Sequence, residues 1–214
     1  PPPPPPLFQA EDGIRDVAGC LVGSEMCIRD SRYQTANVVD VTGNLAPYTG
    51  AAWLIRNRNG IEGRIMTKVT TAGDPYTLWV VVFNNPWACD GACDGTDLGN
   101  PLVKGSVFNG TGAISSSDGA GGGVINMDFN IKAGSLPKDL FLLTGYTKGL
   151  KRANGLRAEI HLVIDKHPPI APGDSWIVDL TETNFPGAGP ATNEVFAVFL
   201  PCSQKPASCP ASPF

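Results

Sequence analysis

The feature that most limits how this chain can fold is the run YTLWVVVFNNPWACDGAC at residues 76–93. Its first eight residues, 76–83, are nearly all β-branched or aromatic, the types that fit a pleated surface. Pro75 before them and Asn84-Asn85-Pro86 after them are turn formers, so the run has the length of a strand and is too short for a buried helix. Leu78, Val80 and Val82 point one way, and Trp79, Val81 and Phe83 the other. A strand that is apolar on both faces belongs in the interior of a sheet, with other strands covering it.

The other segments read as strands punctuated by Gly, Pro and Asn. Residues 37–45 and 51–57 flank a turn at Pro47. Asn59-Gly60 marks a tight turn into 61–69, where Ile61, Gly63, Ile65, Thr67 and Val69 alternate with Glu62, Arg64, Met66 and Lys68. Residues 103–115 read as a hairpin-like pair interrupted at Asn109-Gly110, and 116–123 as a turn. Ile125, Met127, Phe129 and Ile131 alternate with polar residues, and 140–144 is short and apolar. Residues 157–165 send Ile160, Leu162 and Ile164 inward, and 176–180 and 195–200 complete the set. Nine or ten strands with no amphipathic helix predict an all-β fold: an antiparallel β-sandwich, immunoglobulin-like or Greek-key, with a β-barrel as the alternative.

Residues 1–31 stand apart. Six prolines lead into an acidic stretch without strand alternation, and a signal peptide's basic n-region and apolar h-region are both missing. The words FQAEDGIRD and CLVGSEMCIRDS resemble translated sequencing-adapter read-through, as met at the ends of reading frames from metagenomic assemblies. That resemblance implies a non-native, disordered segment at 1–31, one domain at 32–200, and a Pro- and Cys-rich tail at 201–214. The alternative is a genuine N-terminal arm. Setting the segment aside removes Arg15 and Arg29 together with Glu11, Asp12, Asp16, Glu25 and Asp30. That leaves 183 residues with 14 basic and 15 acidic side chains, a net charge of −1. Such a length suits one domain with a sizeable core. A balanced surface carries no electrostatic footprint for nucleic acid or an anionic membrane. No apolar stretch reaches the roughly 20 residues of a membrane helix.

Cys89, Cys93, Cys202 and Cys209 remain as two close pairs, which points to two disulfides and an oxidising compartment. Four cysteines allow three pairings. Cys89–Cys93 and Cys202–Cys209 are favoured because each closes a short loop rich in Gly, Ala, Ser or Pro. Zinc is the rival reading, although the second pair's six-residue spacer lies in a Pro-rich tail rather than a knuckle-like turn. The expected location is secreted or cell-envelope, with a true signal peptide replaced by the foreign segment.

Asp90, Asp94 and Asp97 place three carboxylates in a Gly-containing loop, a possible calcium (Ca2+) site by ligand type, though aspartates in such turns are also ordinary turn chemistry. Glu159, His161, Asp165 and His167 share one strand parity and are candidate metal ligands. The two histidines lie roughly 20 Å apart on a continuous strand, so both join one site only if the chain folds back at Pro168-Pro169. Their alternative is a polar outer face and a turn residue. Two histidines are too few for a copper–zinc superoxide dismutase. The serines at 115–117 and the glycine-rich 119–123 lack the following helix that a phosphate loop needs and read as a hairpin connection. No nucleophile motif stands near either histidine. Asn109-Gly110-Thr111 fits a glycosylation sequon, relevant only in a eukaryotic host.

The words YTLWVVVFNNPWAC and AEIHLVIDKHPP resemble a group of secreted bacterial proteins of uncharacterised function. The group pairs a YTLWWVVFNNP strand and its cysteine with a later AEIHLV strand and a second cysteine pair. Val80 stands where the group tends to have a second Trp, and Pro168 where Gly is usual. The resemblance implies a secreted β-domain and brings no activity or catalytic residue with it. The expectation is a non-enzymatic binding or structural module acting on an extracellular protein or glycan. Trp87, Tyr48 and Phe185 are its candidate contacts. A metal-binding protein or metal-dependent hydrolase built on His161 and His167 is the alternative. Alkylation before and after reduction, read by mass spectrometry, should leave Cys89, Cys93, Cys202 and Cys209 unmodified until reductant is added. Labelling without reductant would contradict the oxidising-compartment reading.

Overall fold

The computed structural model describes residues 31–40, 42–43, 50–134, 142–145, 149–169, 191–204 and 209–210. Eleven strands among them form two open antiparallel sheets packed face to face, the expected β-sandwich. The first sheet runs in the order β1 (Arg32–Asn37), β3 (Gly50–Asn57), β4 (Gly60–Val69), β8 (Gly123–Lys132) and β7 (Ser116–Ser117). The second runs β2 (Val39–Asp40), β11 (Thr192–Phe199), β10 (Glu159–Lys166), β5 (Pro75–Phe83), β6 (Gly105–Ile114) and β9 (Leu142–Gly145). No helix among the described residues is long and apolar enough to cross a membrane.

Period-two alternation builds the layer between the sheets. Leu54, Ile61, Ile65, Ile125, Met127 and Ile131 from the first sheet meet Leu78, Val80, Phe108, Ile160, Leu162 and Phe199 from the second. The Asn59-Gly60 hairpin joins β3 to β4, with Asn57 paired to Gly60. Ser117 pairs with Gly123 across the Asp118 turn, so the glycine-rich stretch is a hairpin connection. Strand β5 sits inside its sheet between β10 and β6, as its two apolar faces require.

Three features differ from the sequence reading. First, β1 spans Arg32–Asn37, where no strand was expected. The chain then crosses between sheets at the buried Val38, leaving only Val39–Asp40 of the expected 37–45 strand within the described residues. Second, 105–114 is one continuous strand rather than a pair broken at Asn109-Gly110. Asn109 pairs with Trp79 and Thr111 with Leu78, so Gly110 is the extra residue of a β-bulge. A Cβ at Gly110 would press on Val80 Cγ2 at 3.0 Å. Third, other strands cover only one face of β5. The opposite face is covered by the loop that follows it, which forms a second small core. Residues 176–180, Tyr48 and Phe185 lie outside the described residues.

Arg56, on the core-facing side of β3 and fully buried, ties this sandwich together at one end. Its Nε donates to Gly155 O at 2.7 Å, and Nη1 donates to Gln34 Oε1 at 2.6 Å and Leu200 O at 3.0 Å. Nη2 donates to Ala158 O. Those acceptors lie on β1, just before β10 and just after β11, so one side chain spans both layers. Gly155 is required for the approach, since a Cβ there would overlap the Asn57 carbonyl oxygen. The segment closed by Cys202–Cys209 docks alongside, with Tyr33 N donating to Pro210 O at 3.0 Å and Cys202 N to Leu156 O at 3.0 Å.

Arg56→Met removes the donors and leaves buried carbonyls unpaired, so it should lower unfolding free energy by about 3–5 kcal/mol. Arg56→Lys should recover little, because an ammonium cannot reproduce the planar fork. Denaturant unfolding would read both. An unchanged midpoint would remove Arg56 from its structural role.

Candidate functional site

The outward face of β5 presents Thr77, Trp79, Val81 and Phe83, which cannot face water as a group. The loop at 84–104 covers part of it. Asn84 anchors the loop base: its Nδ2 donates to Lys104 O at 2.9 Å and Gly149 O at 2.8 Å, while its Oδ1 accepts from Lys151 N at 2.7 Å. Asn85 Nδ2 donates to Leu102 O at 2.7 Å, and Asn100 Nδ2 to Ala88 O at 3.3 Å. Pro86 opens a short 3-10 turn, Pro86–Ala88, which leads into the Cys89–Cys93 disulfide. A second 3-10 turn, Gly95–Gly99, follows. Cys93 and Val103 pack on Val81, Phe83 and Val107, with Leu98, Trp79 and Val163 alongside.

The covering is incomplete. Between the loop and the sheet lies a cavity of about 340 Å³, lined on the sheet side by Trp79, Phe83, His161, Val163 and Asp165 and on the loop side by Gly95 and Leu98. Asn193 of β11 closes its edge. Antiparallel register places the groups: His161 lies opposite Val81 and Val163 opposite Trp79.

The polar groups here are unevenly satisfied. His161 Nε2 hydrogen-bonds Glu159 Oε1 at 2.7 Å, and the imidazole packs edge-to-face with the Phe83 ring, their centroids 4.9 Å apart. Asp165 accepts from the Trp79 indole N–H, but its Oδ1 is buried with no hydrogen-bond partner among the described residues. Desolvation pushes the Asp165 carboxyl up from 3.8 to about 6, a rise the Trp79 hydrogen bond partly opposes. On the neighbouring strand, opposite Trp79, Asn109 is fully buried and neither its Nδ2 nor its Oδ1 has a partner among the described residues. The same burial keeps the sequon's asparagine away from any glycan-transferring enzyme in the folded state.

Both favoured disulfides are present, with Cα separations of 5.3 Å for Cys89–Cys93 and 5.5 Å for Cys202–Cys209. Asp94 caps the second 3-10 turn, its Oδ1 accepting from Thr96 N at 2.7 Å and Thr96 Oγ1 at 2.6 Å. The Asp97 carboxylate accepts from Asp94 N at 3.0 Å and Asp90 N at 3.4 Å, while Asp90 is exposed. Those carboxylates are thus engaged in closing the loop. Hydrogen bonding to Thr96 holds Asp94 below the ordinary aspartate value.

Strand parity puts Glu159, His161 and Asp165 on one face, of which His161 and Asp165 reach the cavity. That face is roofed rather than open to water, and Glu159 is buried. His167 is not brought to the cavity lining. It is buried beyond the strand end, its Nε2 2.6 Å from Thr77 Oγ1. Among the described residues, one trio of side chains lies within metal-ligand reach of one another: Cys89, Cys93 and Asp97, whose two sulfurs are bonded to each other. Trp87 stands on the loop's outer side, 64% exposed, with Leu102 at 69% on the same loop. Sequence reasoning did not single out Trp79 as a site residue, and it noted Asn109 only as part of a glycosylation sequon. An indole on the outward parity of an apolar strand was the one available signal.

Comparison of the chain with family models, with curated proteins and with solved structures found no match.

The folded protein holds the Asp165 proton more tightly than the unfolded chain does. Stability therefore falls as pH rises from about 4 to about 6, and the full penalty persists above that window. Asp165→Asn should raise stability by about 1–2 kcal/mol at about pH 7.5, allowing for partial solvent screening, and leave it unchanged near pH 3.5. Thermal melts at the two pH values check this. An equal gain at both would assign the effect to packing instead.

Proposed function

We propose that this protein is a secreted or cell-envelope β-sandwich module that works by binding rather than by catalysis, with the cavity beside β5 and β10 as its ligand seat. The observation that carries this reading is the cavity itself. It is concave, mostly apolar, within the size range of small-molecule sites, and edged by a few polar groups, His161, Asp165 and Asn193. Two loop-closing disulfides suit an oxidising compartment and support the extracellular location. A resemblance to secreted bacterial β-domains points the same way. The hydrolase alternative has less support: Nε2 of His161 is engaged with Glu159 and that of His167 with Thr77.

A thermal-shift and tryptophan-fluorescence screen across amines, acids, alcohols and oligosaccharides tests the seat. A binder should lose about tenfold or more in affinity when Val163→Phe fills the cavity, and should be indifferent to Trp87→Ala. The reverse pattern would move binding to the exposed aromatic of the loop. A panel with no binder would count against a small-molecule seat.

A further inference from the structure

Building on the reading of the cavity as a ligand seat, we infer that its ligand is a small organic amine, held with its ammonium against Asp165 and its apolar body against Trp79 and Phe83. Charge comes first. Among the described residues no lysine or arginine lines the cavity, whereas Asp165 does, and Glu159 backs His161. An anionic ligand would meet the Asp165 carboxylate with no lysine or arginine among the described lining residues to offset it.

Polar capacity comes second. Val81, Leu98, Val107 and Val163 join Trp79 and Phe83 in largely apolar walls. A polyhydroxylated sugar needs many donors and acceptors, whereas the described lining offers only Asp165, Asn193 and His161, whose Nε2 is already on Glu159. Asp165 offers the opposite: an acceptor-rich carboxylate at the cavity wall whose donor among the described residues is the Trp79 indole. An ammonium beside the Asp165 carboxylate supplies a compensating charge and an N–H donor, and charge-assisted hydrogen bonds are stronger than neutral ones. Aromatic faces nearby attract cations as well. At about 340 Å³ the cavity suits a molecule of a few carbons or one ring, not a polymer chain. An ammonium of this kind could come from a free amine or from a lysine side chain, and the experiment separates them.

The test is calorimetry on the full chain with phenethylamine, 2-phenylethanol, 3-phenylpropanoate, a glucose tetrasaccharide and Nα-acetyl-lysine amide. Phenethylamine should bind about tenfold or more tighter than the alcohol of the same shape, and the carboxylate should not bind. Asp165→Asn should abolish that preference while leaving the alcohol's affinity unchanged, and Val163→Phe should block the amine without touching the carboxyl. Binding of acetyl-lysine amide at the same strength would support the ammonium chemistry with a protein side chain as its source. Equal or better binding of the alcohol, carboxylate or sugar, still blocked by Val163→Phe, would overturn the amine and keep the seat. Amine affinity unchanged in Asp165→Asn would overturn it too. Binding of none of these compounds would overturn the amine assignment, and any binder insensitive to Val163→Phe would overturn the seat.

Discussion

The guanidinium of Arg56 is the interaction on which this molecule depends. Removing a cation from water costs several kcal/mol in a protein interior, and that cost is offset only when its N–H groups find acceptors. Here the acceptors are three main-chain carbonyls and one glutamine amide, drawn from segments far apart in sequence. Burial lowers the group to about 9, an effect the Glu159 carboxylate opposes, and it stays protonated at neutral pH. Because Gly155 and Ala158 are fixed by this contact, β10 begins where it does. That starting point sets which of its residues look into the core and which look into the cavity. The Arg56 contact at Ala158 thus lies just before the strand whose His161, Val163 and Asp165 line the cavity.

How much could be read from residues alone follows from the kind of signal each element carries. Strands β4 and β8 were legible because apolar and polar side chains alternate strictly, and β5 because it is apolar throughout. Strand β1 was not. It places Gln34 at an inward position, which looks wrong for a strand until Arg56 and the Leu200 carbonyl are there to satisfy it. Asn109-Gly110 misled for a related reason. The same dipeptide that makes a hairpin turn also supplies the extra, side-chain-free residue of a bulge, and only the length of the partner strand decides between them.

The candidate site divides along the same line. Parity alone put Glu159, His161 and Asp165 on one face. It could not say that Trp79 would stand beside Asp165, because that juxtaposition depends on a register between strands some eighty residues apart. Nor could it say that the cysteine loop would fold back over β5. The three aspartates of that loop were legible as oxygen donors, but their geometry turns the carboxylates of Asp94 and Asp97 toward the loop's own N–H groups. A short disulfide, two 3-10 turns and a set of asparagine side chains together make a roof from a segment with no regular strand of its own.

The crossing at Val38 has a bearing on how the molecule is made. Among the described residues strand β2 pairs with β11, and Gln34 reaches a carbonyl 166 positions later. The earliest part of the domain thus cannot complete its pairing until its last strand has been synthesised. Contacts of such long range slow folding, because loop-closure entropy is lost before the contacts return it. In the interval the strand edge at β10 is unprotected and open to wrong pairing. A chain wired this way completes its second sheet only once β11 is available to pair with β2 and β10.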